Sequence, residues 1–266
     1  MRILLFIIIY LYLIKPNNSR KDALIPYHEK YICHRGFHNN NDVPENSLLA
    51  FKKAVDNNYG IELDIQLTKD DQLVVFHDLS LKRMTGLDKD IIDCTYDELQ
   101  QLHLLDTNEK IPLFKDVLDI LNKDVPLIVE IKGEGRCIEN TKRSVQLLKQ
   151  YDLTFNMESF NPRVVKYLKD NEPDIIRGQL SYNYLQDTRS NLSFLLKFIA
   201  TYLLFIFYTK PDYVAYDVEN MDNISFKLIS KLYKGECVAW TVKSQKQLDK
   251  AREYYKTFIF DSFIPE

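Results

Sequence analysis

Between Tyr31 and Phe260, short apolar runs rich in β-branched and aromatic residues alternate with amphipathic helical stretches. No other feature constrains the fold as tightly, because strands separated by helical segments pair in parallel and are buried on both faces. Strands are expected at 31–34, 61–67, 73–77, 127–131, 154–159, 175–180, 213–216 and 236–242, with 258–260 a ninth, terminal run near the mouth. Helices are expected over 47–57, 113–121, 138–150, 162–170, 225–234 and 244–254. Eight strands predict an α/β fold of the TIM-type (β/α)8 barrel, and 266 residues suffice for one such domain. The expected organisation is a hydrophobic anchor and linker over 1–24 and a barrel domain over 25–266.

One connection departs from this pattern. Between Asp64 and His77 there is no room for a crossover helix, which takes about a dozen residues or more. The stretch from Ile65 to Phe76 reads instead as a hairpin-like β2–β3 connection turning at Asp70-Asp71. A two-residue loop there sets Lys69 opposite Gln72, Leu67 opposite Val74 and Asp64 opposite His77. Opposed residues share a face of the sheet, as do residues two apart, so Glu62, Asp64 and His77 are expected to converge. A loop one residue longer would turn His77 to the other face.

Glu62 and Asp64 lie on one face of a strand whose intervening residues, Leu63 and Ile65, are apolar. Burying two carboxylates there without a cation is very unfavourable. Glu130 occupies a second apolar strand and shares its face with Lys132. Three carboxylates against one lysine call for a divalent ion with oxygen ligands, Mg²⁺ or Ca²⁺. Zinc fits less well, since no Cys/His ligand cluster is present. Cys33, Cys94, Cys137 and Cys237 stand far apart and are expected to be reduced and buried.

His34-Arg35-Gly36 ends the first strand, where a histidine suits acid–base work, an arginine forks onto phosphate, and a glycine lets backbone approach a ligand. Pro44-Glu45-Asn46-Ser47 opens a helix with an ordinary cap, and Asn46 has an amide to offer a phosphate oxygen. Trp240, at the end of the last long strand, is expected at the barrel mouth, and Phe160 is placed there or in the core. His28, His38 and His103 are expected to be structural or solvated.

These motifs occur in a telling order. His34-Arg35-Gly36, Pro44 to Ser47, Glu62-Leu63-Asp64, His77-Asp78, Glu130-Ile131-Lys132, Ser159 to Pro162 and Ala239-Trp240-Thr241 together resemble the glycerophosphodiester phosphodiesterase family over about residues 31–266. Asp70-Asp71 stands where that family usually has Asp-Gly, and Ser47 where threonine is common. The resemblance implies a TIM barrel that hydrolyses glycerophosphodiesters to an alcohol and glycerol 3-phosphate. It implies that Glu62, Asp64 and Glu130 bind the metal, that His34 and His77 are the acid–base pair, and that Arg35 and Lys132 hold phosphate. Whether water attacks directly or the glycerol 2-hydroxyl first forms a cyclic phosphate is left open. Rival expectations are a lysophospholipase D, a phosphoinositide phospholipase C-like enzyme, or a catalytically silent phosphodiester-binding membrane protein.

Two apolar stretches bear on partners. Residues 3–14 are unbroken apolar or aromatic sequence, about 18 Å as a helix against a hydrocarbon core of about 30 Å. They are expected to be an uncleaved membrane anchor, with a signal peptide or a buried helix as alternatives. Positive charge is denser after the segment than before it, which places the catalytic body in the cytoplasm, secretion or surface display being the alternative. Residues 192–208 are apolar nearly all round, and fit either a buried barrel helix or a second membrane contact beside the mouth. Both stretches point to a lipid-derived phosphodiester as substrate. The net charge of −3 offers no basic field for nucleic acid.

Overall fold

The computed structural model describes residues 2–188 and 190–266. Nine strands form one sheet: β1 Ile32–Cys33, β2 Gly60–Leu67, β3 Leu73–Val75, β4 Leu127–Ile131, β5 Phe155–Ser159, β6 Arg177–Ser181, β7 Tyr213–Asp217, β8 Glu236–Val242 and β9 Thr257–Phe260. Their order is β1-β9-β8-β7-β6-β5-β4-β2-β3, and an additional β1–β2 pairing closes the ring. Every pairing is parallel except β2–β3. The closed barrel is therefore the expected (β/α)8 type, with one reassignment. The run at 257–260 is the eighth barrel strand, whereas 73–75 lies outside the ring.

The reason lies in the edge of β2. Its first residues, Gly60 and Ile61, pair with β1, which is only two residues long. Beyond that point β2 has an open edge, and β3 fills it antiparallel to Ile65–Leu67. The observed register sets Leu67 opposite Leu73, one residue away from the expected pairing with Val74. Thr68 N–H donates to the Gln72 carbonyl at 3.0 Å, so the loop comprises three residues, Lys69 to Asp71. Asp71 closes it at φ +65°, a left-handed conformation that aspartate tolerates better than most residues.

Two apolar layers follow from strand alternation. Leu63, Ile65, Val129, Ile131, Val214 and Ala239 face outward onto the helices. Ile32, Ile128, Ile176, Tyr213, Val238 and Ile259 fill the barrel interior, and Leu24 and Tyr27 plug its base. The segment leading into that plug is pinned there too: Asn17 N–H donates to the Pro211 carbonyl, and Arg20 Nη1 to the carbonyl of Pro173. All four cysteines are buried and unpaired.

Candidate active site

The acidic residues meet because β2 and β4 pair in register, with Asp64 opposite Glu130. Glu62 lies one alternation below Asp64 on the same face. One oxygen from each of Glu62, Asp64 and Glu130 lies within 4.8 Å of the others, and all three side chains are buried. Burial and the charges of Asp64 and Glu130 raise the Glu62 carboxyl well above the usual range. Glu130 is raised by burial, although Lys132 opposes this. Asp64 behaves otherwise. Burial works against its charge, but Lys132, His77 and Arg35, with the Asn46 amide, overcome it and hold the carboxyl well below its ordinary value. An oxygen-only cluster in which two of three acids resist ionisation is one that a hard divalent cation would relieve.

The two cations fold onto these acids. Lys132 Nζ donates to Glu130 Oε1 at 2.8 Å and to Asp64 Oδ1 at 3.1 Å. Arg35 Nη1 donates to Glu45 Oε1 at 2.7 Å, while its Nε lies 3.5 Å from Asp64 Oδ2. The Asn46 amide, expected to face phosphate, donates through Nδ2 to Asp64 Oδ2 at 2.9 Å. Gly36 serves close packing. It sits at φ +80°, and a Cβ there would come within 2.9 Å of Ala50 Cβ on the helix Leu48–Asp56. Ser47 caps that helix by accepting from Ala50 N–H, as expected. Arg35 and Asn46 both adopt positive φ, and Asn46 N–H donates to the Arg35 carbonyl, which ties the two motifs together.

His34 follows β1, and its N–H donates to the Phe260 carbonyl on β9. Its Nδ1 faces Asp261 at 3.5 Å, and His38, beside it, lies 3.6 Å from the same carboxylate. Burial, with the Arg35 charge, pushes His34 down to about 4, so the ring is neutral near pH 7. His77 arrives by a different route from the one expected. The register shift alone would have turned it away. However, β3 ends at Val75, Phe76 N–H makes one more bond to the Asp64 carbonyl at 2.9 Å, and the chain then leaves the ladder. Gln66 Nε2 donates to the carbonyls of Phe76, His77 and Asp78 at 2.9, 3.2 and 2.7 Å. His77 is thereby held where its charge acts on both Asp64 and Glu130. Its Nδ1 lies 2.6 Å from Asp78 Oδ1, which leaves Nε2 available.

Four functional neighbours were not named from sequence: Asp261, Gln66, Arg83 and Glu158. The first could have been found from its place directly after the last barrel strand. Glu158 stands opposite Glu130 on β5, pushed up to about 8 by burial and the Glu130 charge. Trp240 is at the mouth as expected, packed with Phe160 at 5.3 Å and Tyr182 at 6.3 Å between ring centroids. Its Nε1 is buried with no acceptor among the described residues.

A parallel barrel carrying buried acids, with one imidazole after β1 and a second on the turn after β3, defines a hydrolase of the TIM-barrel class. Residues 34–262 match the family model described as the glycerophosphoryl diester phosphodiesterase family. The chain belongs to that family. A relative named putative glycerophosphodiester phosphodiesterase, from Bacillus subtilis, is 35% identical over 60% of this chain and 72% of its own. A human protein named lysophospholipase D GDPD1 is 35% identical over 46% of this chain and 42% of its own length. The crystal structure of a glycerophosphodiester phosphodiesterase from Parabacteroides distasonis superposes with a TM-score of 0.69 at 25% identity, over 87% of this chain and 92% of that one.

Proposed function

We propose that this chain hydrolyses glycerophosphodiesters to an alcohol and glycerol 3-phosphate, using a divalent ion and a pair of histidines. The observation that carries the proposal is the convergence of Glu62, Asp64 and Glu130, with His34 and His77 each near enough to interact with Asp64. The three carboxylates would hold Mg²⁺ or Ca²⁺, which when bound supplies positive charge against the non-bridging phosphate oxygens. Arg35 and Lys132 add charge on the same side and exchange part of their carboxylate contacts for phosphate.

His34, neutral and turned on Asp261, takes a proton from the nucleophile through its free nitrogen. His77, with Nδ1 engaged by Asp78, gives a proton to the departing alcohol oxygen. In the direct route the oxygen of water bonds to phosphorus as the phosphorus–alcohol bond breaks, and the alcohol leaves with the proton from His77. Trp240 and Phe160 offer apolar faces, and the Trp240 N–H a donor, to the glycerol portion.

The test is release of glycerol 3-phosphate from glycerophosphocholine by the parent, His34→Ala and Glu62→Ala, with and without divalent ions. Loss of about 100-fold or more in each variant is expected. Ion-independent turnover, or activity retained in both variants, would reject the site.

A further inference from the structure

Among the described residues two groups of three side chains are close enough to share an ion, and the second contains none of the three carboxylates discussed above. His34, His38 and Asp261 each offer one ligand atom within 4.8 Å of the other two. Their meeting is fixed by the main chain. Arg35 and Gly36 both take left-handed φ, +54° and +80°, which folds the chain back so that His38 N–H donates to the Gly36 carbonyl at 3.0 Å. Phe37 N–H donates to the Ala50 carbonyl at 3.0 Å and fastens this turn to the helix Leu48–Asp56. Asp261 arrives from the end of β9. Its N–H donates to the Val242 carbonyl at 2.9 Å, and Ser262 Oγ donates to its Oδ1 at 2.8 Å.

These side chains meet without closing hydrogen bonds between them. His34 Nδ1 stands 3.5 Å from Asp261 Oδ2, and His38 Nε2 stands 3.6 Å from Oδ1. His34 Nδ1 and both ring nitrogens of His38 are buried with no hydrogen-bond partner among the described residues, and the His38 side chain is only 7% exposed. Buried polar atoms left unpaired in this way are unfavourable and point to an occupant. The spacing suits a metal. A tetrahedral ion with bonds of about 2.0–2.1 Å sets its ligand atoms about 3.4 Å apart. A cavity of about 380 Å³, lined in part by His38, Asp261, Ser262 and Phe263, runs alongside the cluster. Two imidazoles and a carboxylate are a donor set for Zn²⁺ and its borderline neighbours, whereas Mg²⁺ and Ca²⁺ take oxygen.

We propose that His34, His38 and Asp261 form an inhibitory site for Zn²⁺ or a similar transition ion, separate from the carboxylate site of the activating ion. The binding site stands on these three side chains alone; the inhibition rests on the phosphodiesterase reading above, in which His34 is the base. A neutral imidazole has one nitrogen with a free lone pair and one N–H. In the active form Nδ1 carries the proton toward Asp261, and Nε2 is free to accept one from the nucleophile. When Nδ1 gives its lone pair to the ion, that proton moves to Nε2, with no net proton released. Nε2 then has nothing with which to accept a proton, and the base is blocked while the fold is unchanged. Water fills the fourth position on the ion.

The experiment uses the full chain without a histidine tag, saturated with excess Mg²⁺. Zn²⁺ is titrated by calorimetry, and Co²⁺ is added as a spectroscopic probe whose intense visible absorption marks tetrahedral ligands. The parent should bind one Zn²⁺ and give the tetrahedral Co²⁺ spectrum. His38→Gln and Asp261→Asn should each weaken Zn²⁺ binding about 100-fold and remove that spectrum. Glu62→Gln, which lacks a ligand of the other ion, should bind Zn²⁺ as the parent does. In turnover of glycerophosphocholine, Zn²⁺ at about ten times its Kd should cut the parent's rate about tenfold, and more Mg²⁺ should not restore it. His38→Gln should keep its basal rate and resist the same Zn²⁺. No binding by the parent, or binding and spectrum unchanged in both His38→Gln and Asp261→Asn, overturns the site. Inhibition relieved by Mg²⁺, or equal in His38→Gln, puts Zn²⁺ on the carboxylates and overturns the inhibitory role. A parent that binds Zn²⁺ through these residues but turns over nothing in its absence overturns the phosphodiesterase reading alone.

Discussion

Arg83 grips Glu45 with a fork of two hydrogen bonds, Nη2 to Oε1 at 2.6 Å and Nη1 to Oε2 at 3.0 Å. Its Nε donates to Asp78 at 2.6 Å, and Glu45 in turn holds Arg35. One arginine outside the barrel therefore links the His77 and Arg35 ends of the site.

That link carries a pH dependence. Burial opposes the Glu45 charge, but Arg83 and Arg35 outweigh it and hold the carboxyl at about 2. The unfolded carboxyl titrates near 4.3, so the stabilisation is complete above about pH 5 and is lost as pH falls toward about 2. Glu45→Gln should lower stability near pH 7 by at most about 3 kcal/mol, a Tm decrease of about 5–10 °C. The gap should narrow in melts taken from pH 5 down to pH 3 and close toward about pH 2.

Gln66 is a positioning residue for His77, because its amide holds three consecutive carbonyls of the turn. Gln66→Met keeps the volume and removes the donors. We expect kcat to fall about 10- to 100-fold with KM changed less, at a stability loss of about 1–2 kcal/mol. Unchanged kcat would show that the turn holds His77 without this amide.

Gly178 faces the ring of Tyr213, and an added Cβ would overlap the ring carbons and hydroxyl. That hydroxyl lies 2.7 Å from Asn156 Oδ1 and 2.9 Å from Glu158 Oε2, and the ring is fully buried. Gly178→Ala should cost about 2–3 kcal/mol by overpacking, seen as a Tm lower by about 5–10 °C.

Glu158 titrates in the opposite sense to Glu45. Its folded-state value of about 8 lies above the unfolded one, so folding stability declines as pH rises between them. Glu158→Gln removes that loss, and its advantage over the parent should grow from pH 5 to pH 8 by about 1–3 kcal/mol in denaturant titrations.

Ion binding can be read without turnover. Mg²⁺ or Ca²⁺ at about 100 times its Kd should stabilise the parent by about 2.7 kcal/mol, raising Tm. Chelator should reverse the shift, and Glu62→Gln or Asp64→Asn should show little of it. Equal shifts in the variants would remove these acids from the ion site.

Much of this architecture was legible because alternation records which face of a strand is buried. Glu62, Asp64 and Glu130 were conspicuous as acids in apolar strands, and their meeting needed only that β2 and β4 be neighbours. The hairpin register was not legible. It depended on Asp71 accepting a left-handed backbone, which made the loop three residues long without a glycine. Nor did the pattern show that β1 would stop after two residues, and that shortness is what puts β3 outside the ring. The roles of Gln66 and Arg83 arise from contacts between segments, which no local pattern records.

The hairpin gives the two proposed catalytic histidines unequal mechanical footing. His34 is fastened by main-chain bonding into the closed ring, whereas His77 rides on an excursion held by a side-chain amide and an arginine outside the barrel. Gentle warming should therefore free His77 while the ring stays intact, so that catalysis fades reversibly below the melting transition. Amide exchange would follow the same order, early at 77–78 and late at His34.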